Sequence, residues 1–184
     1  MLSIGILTAL IGCSIVITID IFADIKYSLL RKWTDHCVEE KNNCLYLPYL
    51  LWVSLNVVPV LIGSFLIAYI EPVAGGSGIP QVKCYLNGVK IPRIVRIKTL
   101  ICKAVGVTFS VLGGLAVGKE GPMIHSGAVV AAGISQGKST SLNLDTSTLQ
   151  FFRQDREKRD FVSGGAAAGV AAAFGSPVGG VLFA

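Results

Sequence analysis

The feature that most constrains this chain is the run Leu45–Ile70, which contains 26 residues and no charge. About 20 consecutive apolar residues are enough for an α-helix to cross the hydrocarbon core of a bilayer. Pro48 suits the first turn of such a helix, Pro59 is expected to kink it, and Pro72 disfavours its continuation through Glu71. The run therefore predicts one transmembrane helix that crosses the bilayer with some tilt.

Three other segments are also strongly apolar, namely Met1–Phe22, Thr99–Val117 and Phe161–Ala184. The 184 residues are 52% hydrophobic and 15% charged, whereas soluble domains average about 25% charged residues. Because lipid offers no hydrogen bonds to the backbone, we expect an all-α polytopic membrane protein with tilted and broken helices. Lys103 is expected to snorkel to the cytoplasmic side. The sequence Gly175-Ser176-Pro177 is expected to divide the last segment into two short helices.

The polar connections predict how the chain is oriented in the membrane. Trp33–Asn43 is a charged segment that we expect to form a loop, and Lys138–Asp160 is also polar. One connection holds only basic charges, which come from Lys83, Lys90, Arg93, Arg96 and Lys98. The positive-inside rule places it in the cytoplasm, so Trp33–Asn43 is expected to be extracellular or lumenal. The net charge of +5 fits contact with lipid head groups, and we expect no nucleic-acid partner.

The five cysteines show neither a CxxC spacing nor a paired histidine, so we expect no metal site. Cys37 and Cys44 fit a disulfide, if their loop faces an oxidising compartment, and two free thiols about equally well. The sequence begins and ends within apolar runs. We therefore expect residues 1–184 to be one part of a membrane domain that is incomplete at both ends.

A charged pair lies within apolar sequence in the segment Gly118-Lys119-Glu120-Gly121-Pro122. Burying these charges is costly, which favours a functional role. We expect a helix from about Pro122 to Gly137, with Glu120 beside the free N–H groups of its first turn. Such an end binds anions, so this carboxylate could occupy an anion site and leave it when protonated. The alternatives are a carboxylate that merely balances the helix dipole and a phosphate loop, which Glu120 contradicts by replacing the Mg²⁺-binding hydroxyl.

A second glycine-rich loop, Gly76–Pro80, precedes another short predicted helix, Gln81–Leu86. Transporters hold anions where the N-termini of broken helices converge near the bilayer midplane. The Ser77 hydroxyl and the amides around Gly78 and Ile79 can donate hydrogen bonds to such an anion. Taken alone, Ser77 would more simply be a helix cap. Together with the Glu120 loop, it predicts an anion pathway.

The motifs GSGIP and GKEGP, residues 76–80 and 118–122, resemble the first two selectivity-filter signatures of the CLC family of chloride channels and chloride/proton exchangers. The resemblance extends over essentially the whole chain, and GISQGKSTSL and GAAAGVAAAFGSPVGGVLF resemble the lysosomal exchanger branch. It implies the first part of an inverted-repeat domain, chloride binding by Ser77, Gly78 and Ile79, and gating and proton transfer by Glu120. The filter motifs would comprise Gly76, Ser77, Gly78, Ile79, Pro80, Gly118, Lys119, Glu120, Gly121 and Pro122.

The same resemblance implies a chloride/proton antiporter of the lysosomal or late-endosomal membrane rather than an enzyme. Chloride and protons would be its transported ions, with no cofactor and no metal. It further implies a homodimer for the complete protein and allows an accessory membrane subunit. A passive voltage-gated chloride channel is the alternative, because the inner proton-transfer glutamate of the exchangers would follow Ala184. A truncated chain that does not transport is a third hypothesis.

Overall fold

The computed structural model describes residues 1–39, 46–89, 91–139, 144–145 and 154–183. Among the described residues, the regular secondary structure is helical apart from one antiparallel pair of two-residue strands, β1 and β2, in which Lys138 lies opposite Asp145. This confirms the all-α expectation. The elements are α1 (Leu2–Glu39), α2 (Tyr46–Ile70), a 3₁₀ turn (Pro72–Ala74), α3 (Ile79–Leu86), α4 (Ile97–Leu112), α5 (Glu120–Gln136), β1 (Lys138–Ser139), β2 (Leu144–Asp145), α6 (Asp155–Phe174) and α7 (Pro177–Phe183).

Helix α2 matches the helix expected from the uncharged run. Pro48 lies in its first turn, Pro59 lies inside it, and it ends directly before Glu71. Its 25 residues extend about 37 Å at a rise of 1.5 Å per residue, which exceeds the hydrocarbon thickness of a bilayer. By length and composition, residues Leu2–Val38 of α1 and the whole of α2 could each cross a membrane.

The prediction of a loop at Trp33–Asn43 is wrong for residues 33–39, because α1 continues without a break to Glu39. Residues 33–39 contain neither glycine nor proline, so nothing in them stops a helix that leaves the apolar layer. The rest of the expected loop, including Lys41, lies outside the described residues. Cys37 is disulfide-bonded, and Cys44 also lies outside the described residues.

The expected break at Gly175-Ser176-Pro177 is confirmed, since Gly175 caps α6 in the left-handed conformation and α7 begins at Pro177. The expectation of two short helices is wrong for the first of them, because α6 has 20 residues. It begins in the polar segment at Asp155. Asp155 and Glu157 occupy its first turn, where negative charge interacts favourably with the helix dipole.

The buried centre of the described chain is α5, which packs against α1, α4 and α6. Its closest partner is α6, and small residues allow the two backbones to approach. A side chain at Gly127 would collide with the Gly165 carbonyl, and one at Gly169 would lie 2.7 Å from the Ile124 Cα. This packing fixes where the N-terminus of α5 lies, and with it Glu120.

Lys26 connects three helices at the end of α4. Its Nζ donates hydrogen bonds to Asn56 Oδ1 on α2 and to the Leu112 carbonyl, both at 2.6 Å. The last carbonyls of a helix have no partner within the helix, and a cation there also interacts favourably with the helix dipole. The contact therefore holds the C-terminal end of α4, from which the chain runs to the second glycine-rich loop.

Candidate functional site

The first glycine-rich loop leads directly into α3. Its irregular part is residues 75–78, since Pro72–Ala74 forms a 3₁₀ turn and α3 begins at Ile79, two residues before the predicted start. Gly78 is the N-cap and has φ +89°, a left-handed conformation that glycine adopts readily. No side chain caps the helix, so its first N–H groups are left for another acceptor.

The second glycine-rich loop ends where α5 begins, at Glu120, two residues before the expected start at Pro122. Pro122 lies in the first turn, where its missing N–H removes no helical hydrogen bond. Lys119 is the N-cap, and its side chain makes no capping hydrogen bond. The expected end is confirmed, because α5 stops at Gln136 and Gly137 adopts the left-handed conformation.

The structure brings the two loops together. A Cβ at Gly121 would collide with Ser77 Oγ and lie 2.7 Å from the Ser77 carbonyl oxygen, so glycine permits this close approach. Both loops line one cavity of about 480 Å³, which also borders α2 and α4. Its lining includes Gly76, Ser77, Ile79, Gly118, Glu120, Gly121 and Pro122 from the two motifs, whereas Gly78, Pro80 and Lys119 are adjacent to these residues along the chain.

Glu120 lies at the edge of this cavity with a half-buried side chain. Its carboxylate folds back over its own loop, so that a Cβ at Gly118 would collide with Glu120 Oε2 and lie 3.2 Å from Cδ. The carboxylate thus occupies the space that a side chain at Gly118 would need. It also lies near the positive end of α5, where an anionic group is stabilised.

The expected position of Lys103 at the membrane surface is wrong, because this residue lines the cavity. It does not snorkel to the membrane surface, because it is only 3% exposed and lines the cavity with Ser77 and Glu120. Helix α4 packs on α2 and α5, so this face of α4 points into the protein. The Nζ atom has no hydrogen-bond partner among the described residues. The signal in the sequence was a charged residue inside an apolar run. The side chain was expected to point to the membrane surface, whereas it points into the protein.

His125 is buried one and a half turns along α5 from Glu120. Its Nε2 lies 3.0 Å from the Ile94 carbonyl oxygen, so the ring is hydrogen-bonded within the protein. The other ring nitrogen, Nδ1, has no partner within the described chain. Two more buried oxygens without a partner there, Glu71 Oε1 and Gln81 Oε1, flank the first loop in sequence.

The cavity thus combines a hydroxyl, two uncapped helix N-termini and a buried amine with one carboxylate. Helix N-termini and buried cations attract small anions. Glu120 carries an anionic group of its own into the same space. The arrangement suits competition between a tethered carboxylate and a free anion.

Residues 59–184 match the family model described as voltage gated chloride channel. Among curated relatives, the chain is 61% identical over 180 residues to the H(+)/Cl(-) exchange transporter 7 of Homo sapiens. It is 45% identical over 183 residues to chloride channel protein CLC-d of Arabidopsis thaliana. These alignments cover 98% and 100% of this chain but 22% of either relative.

The fold also matches a solved structure described as a eukaryotic CLC transporter. The TM-score is 0.80 at 26% sequence identity, and the match covers 97% of this chain and 30% of that one. The family match includes both α5 with its glycine-rich loop and the Ser77 loop. The chain therefore belongs to the voltage gated chloride channel family of membrane proteins.

Proposed function

We propose that the complete protein containing this chain transports chloride across an intracellular membrane in exchange for protons. The observation that carries the proposal is the single cavity in which Ser77, Glu120 and Lys103 meet at two uncapped helix N-termini. The name of one relative, H(+)/Cl(-) exchange transporter 7, supports the choice of both ions. Transport of ions needs no covalent chemistry, cofactor or metal from this chain.

Chloride binds, in this proposal, at the N-terminus of α3. The Ser77 hydroxyl and the amides of Gly78 and Ile79 donate hydrogen bonds to the ion. These amides are available because no side chain caps α3. The buried amine of Lys103 adds positive charge, and no hydrogen-bond partner among the described residues offsets that charge. A cation in the membrane interior costs about 3 kcal/mol, and an anion in the cavity offsets that cost.

Glu120 acts as the gate and as the proton carrier. As a carboxylate it occupies a second anion position in the cavity, at the positive end of α5, for which it competes with chloride. When it takes up a proton it loses its charge and its attraction for that end, so chloride replaces it. Release of the proton returns the carboxylate to the site. One side chain therefore links the movement of the two ions in opposite directions.

A passive chloride channel is the second candidate, since the relative from Arabidopsis thaliana is named a chloride channel protein. In that case Glu120 opens and closes the pathway but carries no proton across. Placement in the lysosomal or late-endosomal membrane, a homodimer and an accessory membrane subunit are further parts of the proposal. They rest on the likeness to exchangers of this family.

The test is flux in liposomes that contain the protein expressed from its complete reading frame. Chloride and pH are recorded together under an imposed chloride gradient. An exchanger should move protons against their own gradient, driven by chloride. Glu120→Gln, which keeps the shape of the side chain but cannot ionise, should retain chloride flux and lose proton movement.

Asp35→Asn is the matched control, because Asp35 is an exposed carboxylate on α1 that does not line the cavity. It should leave both fluxes unchanged. Chloride flux without proton movement in the unmodified protein would identify a channel. Proton movement that persists in Glu120→Gln would remove Glu120 from the proton path, and the absence of chloride flux would contradict the proposal as a whole.

A further inference from the structure

His125 contacts the first filter loop although it belongs to the helix of the second. A Cβ placed on Gly78 would lie 2.8 Å from both Cβ and Nδ1 of His125 and 3.0 Å from its Cγ. The ring therefore packs directly on the Gly78 Cα. Only a glycine fits between this ring and the rest of the loop, and its φ of +89° is again one that glycine adopts readily.

The far side of the same ring is fixed to the segment that connects α3 to α4. Because a carbonyl oxygen only accepts, His125 Nε2 must carry the hydrogen and donate it to the Ile94 oxygen, 3.0 Å away. Ile94 and the ring are each 1% exposed. The imidazole thus spans the space between a fixed backbone carbonyl and Gly78.

The connecting segment is itself held in place. Thr99 Oγ1 donates a hydrogen bond of 2.8 Å to the Arg93 carbonyl, and Arg93 has the unusual φ of +68° for a residue with a side chain. Thr99 is completely buried. A segment held in this way is a firm support for the His125 ring, so displacement of the ring is resisted on the side away from Gly78.

We propose that His125 is a positioning residue that sets the place of the Gly78 and Ile79 amides relative to the N-terminus of α5. This inference rests on the chloride transport proposed above, since those amides are the proposed ligands. The ring acts on chloride through the Gly78 backbone and touches no ion itself. Its loss lets the loop move into the vacated space, which weakens chloride binding and the discrimination between chloride and nitrate.

The experiment measures chloride dependence in liposomes with the complete protein. In His125→Ala, the chloride concentration at half-maximal flux should rise about fivefold, as expected when about one hydrogen bond of binding free energy is lost. The ratio of chloride to nitrate flux should fall. His125→Gln, which can still present an N–H to the Ile94 oxygen, should restore both values. His125→Leu keeps most of the ring volume but loses the hydrogen bond to the Ile94 oxygen, so it should shift both values in the same direction as His125→Ala by a smaller factor. This variant preserves the test if the alanine variant does not fold.

Thr108→Val is the matched control, because it removes a threonine hydrogen bond within α4, to the Ala104 carbonyl at 2.8 Å, and Thr108 does not line the cavity. It should leave the chloride dependence unchanged. A chloride dependence equal to that of the unmodified protein in folded His125→Ala or His125→Leu would overturn the inference, as would an equal change in Thr108→Val. No chloride flux in the unmodified protein would instead refute the proposed function, so the two failures are distinguishable.

Discussion

At the scale of single residues, Lys103 is the side chain whose burial most requires an explanation. Its side chain lines the cavity, and its buried amine has no hydrogen-bond partner among the described residues. One unit charge at this position is worth on the order of 1 to 2 kcal/mol to an anion in the cavity. Lys103→Met keeps the length of the side chain and removes the charge. The chloride concentration at half-maximal flux should then rise about tenfold.

Lys98→Met is the control for this prediction. Lys98 is in the first turn of the same helix, is exposed, and does not line the cavity. Its removal should leave the chloride dependence unchanged. If both variants shift it equally, the effect comes from the overall charge of the protein, and Lys103 has no special place in the site.

How far the sequence predicts the site differs from one residue to another. Glu120 and Ser77 could be singled out, because glycines and prolines beside a polar residue in apolar sequence indicate a broken helix. Lys103 could not be placed, since a lysine in an apolar run fits both a snorkelling and a buried position. The packing of α4 on α2 and α5 determines that Lys103 is buried. The contact of His125 with Gly78 joins residues 47 positions apart, and no local pattern contains it.

At the scale of elements, the contact between α5 and α6 depends on glycines. A Cβ at Gly165 would collide with the Ala131 Cβ and the Gly127 carbonyl oxygen and lie 3.0 Å from the Gly127 carbonyl carbon. Backbone atoms cannot move aside easily, so Gly165→Ala should destabilise the protein by about 1 to 3 kcal/mol. The midpoint of thermal aggregation in detergent measures this loss.

Gly133→Ala offers the matched comparison. Gly133 is also in one of these two helices, but nothing lies within 4 Å of the position of its Cβ. Alanine favours a helix by up to about 1 kcal/mol over glycine, so this variant should keep or raise the midpoint. A lower midpoint for Gly133→Ala than for Gly165→Ala would contradict the close packing described here.

The hydrogen bonds of Lys26 to α2 and α4 are expected to stabilise the packing of these helices. Lys26→Met removes two hydrogen bonds at 2.6 Å, each worth about 1.5 to 3 kcal/mol for a charged donor. The thermal midpoint should fall. Lys32→Met, at an exposed position on the same helix, should not change it. An unchanged midpoint in Lys26→Met would mean that other contacts hold the end of α4.

The elements themselves were predictable to different degrees. The limits of α2 follow from an uncharged run that ends before Glu71-Pro72, and the break after α6 follows from Gly175-Ser176-Pro177. The polar end of α1 was misjudged, because polar sequence was taken to mean loop. A helix that leaves the membrane can continue in water wherever no glycine or proline stops it.

At the scale of the whole molecule, the charge pattern and the helices together predict an orientation in the membrane. Helix α2 is long enough for one crossing, so the residues before it and the basic connection after it should lie on opposite sides. The basic side is expected to be cytoplasmic. Cys37, near the end of α1, is disulfide-bonded, and disulfides form in oxidising compartments such as a lumen. Both observations predict that the end of α1 lies on the extracellular or lumenal side.

Single cysteines test this orientation. In the complete protein, with the free residues Cys13, Cys84 and Cys102 replaced by alanine, Asp35→Cys and Arg96→Cys each introduce a thiol at an exposed position. In sealed microsomes, whose outer face is cytoplasmic, a membrane-impermeant maleimide should label Arg96→Cys at once. It should label Asp35→Cys only after detergent is added, since the bilayer separates the reagent from the lumen. The reverse pattern would invert the topology, and equal labelling before detergent would mean that α2 does not cross the membrane.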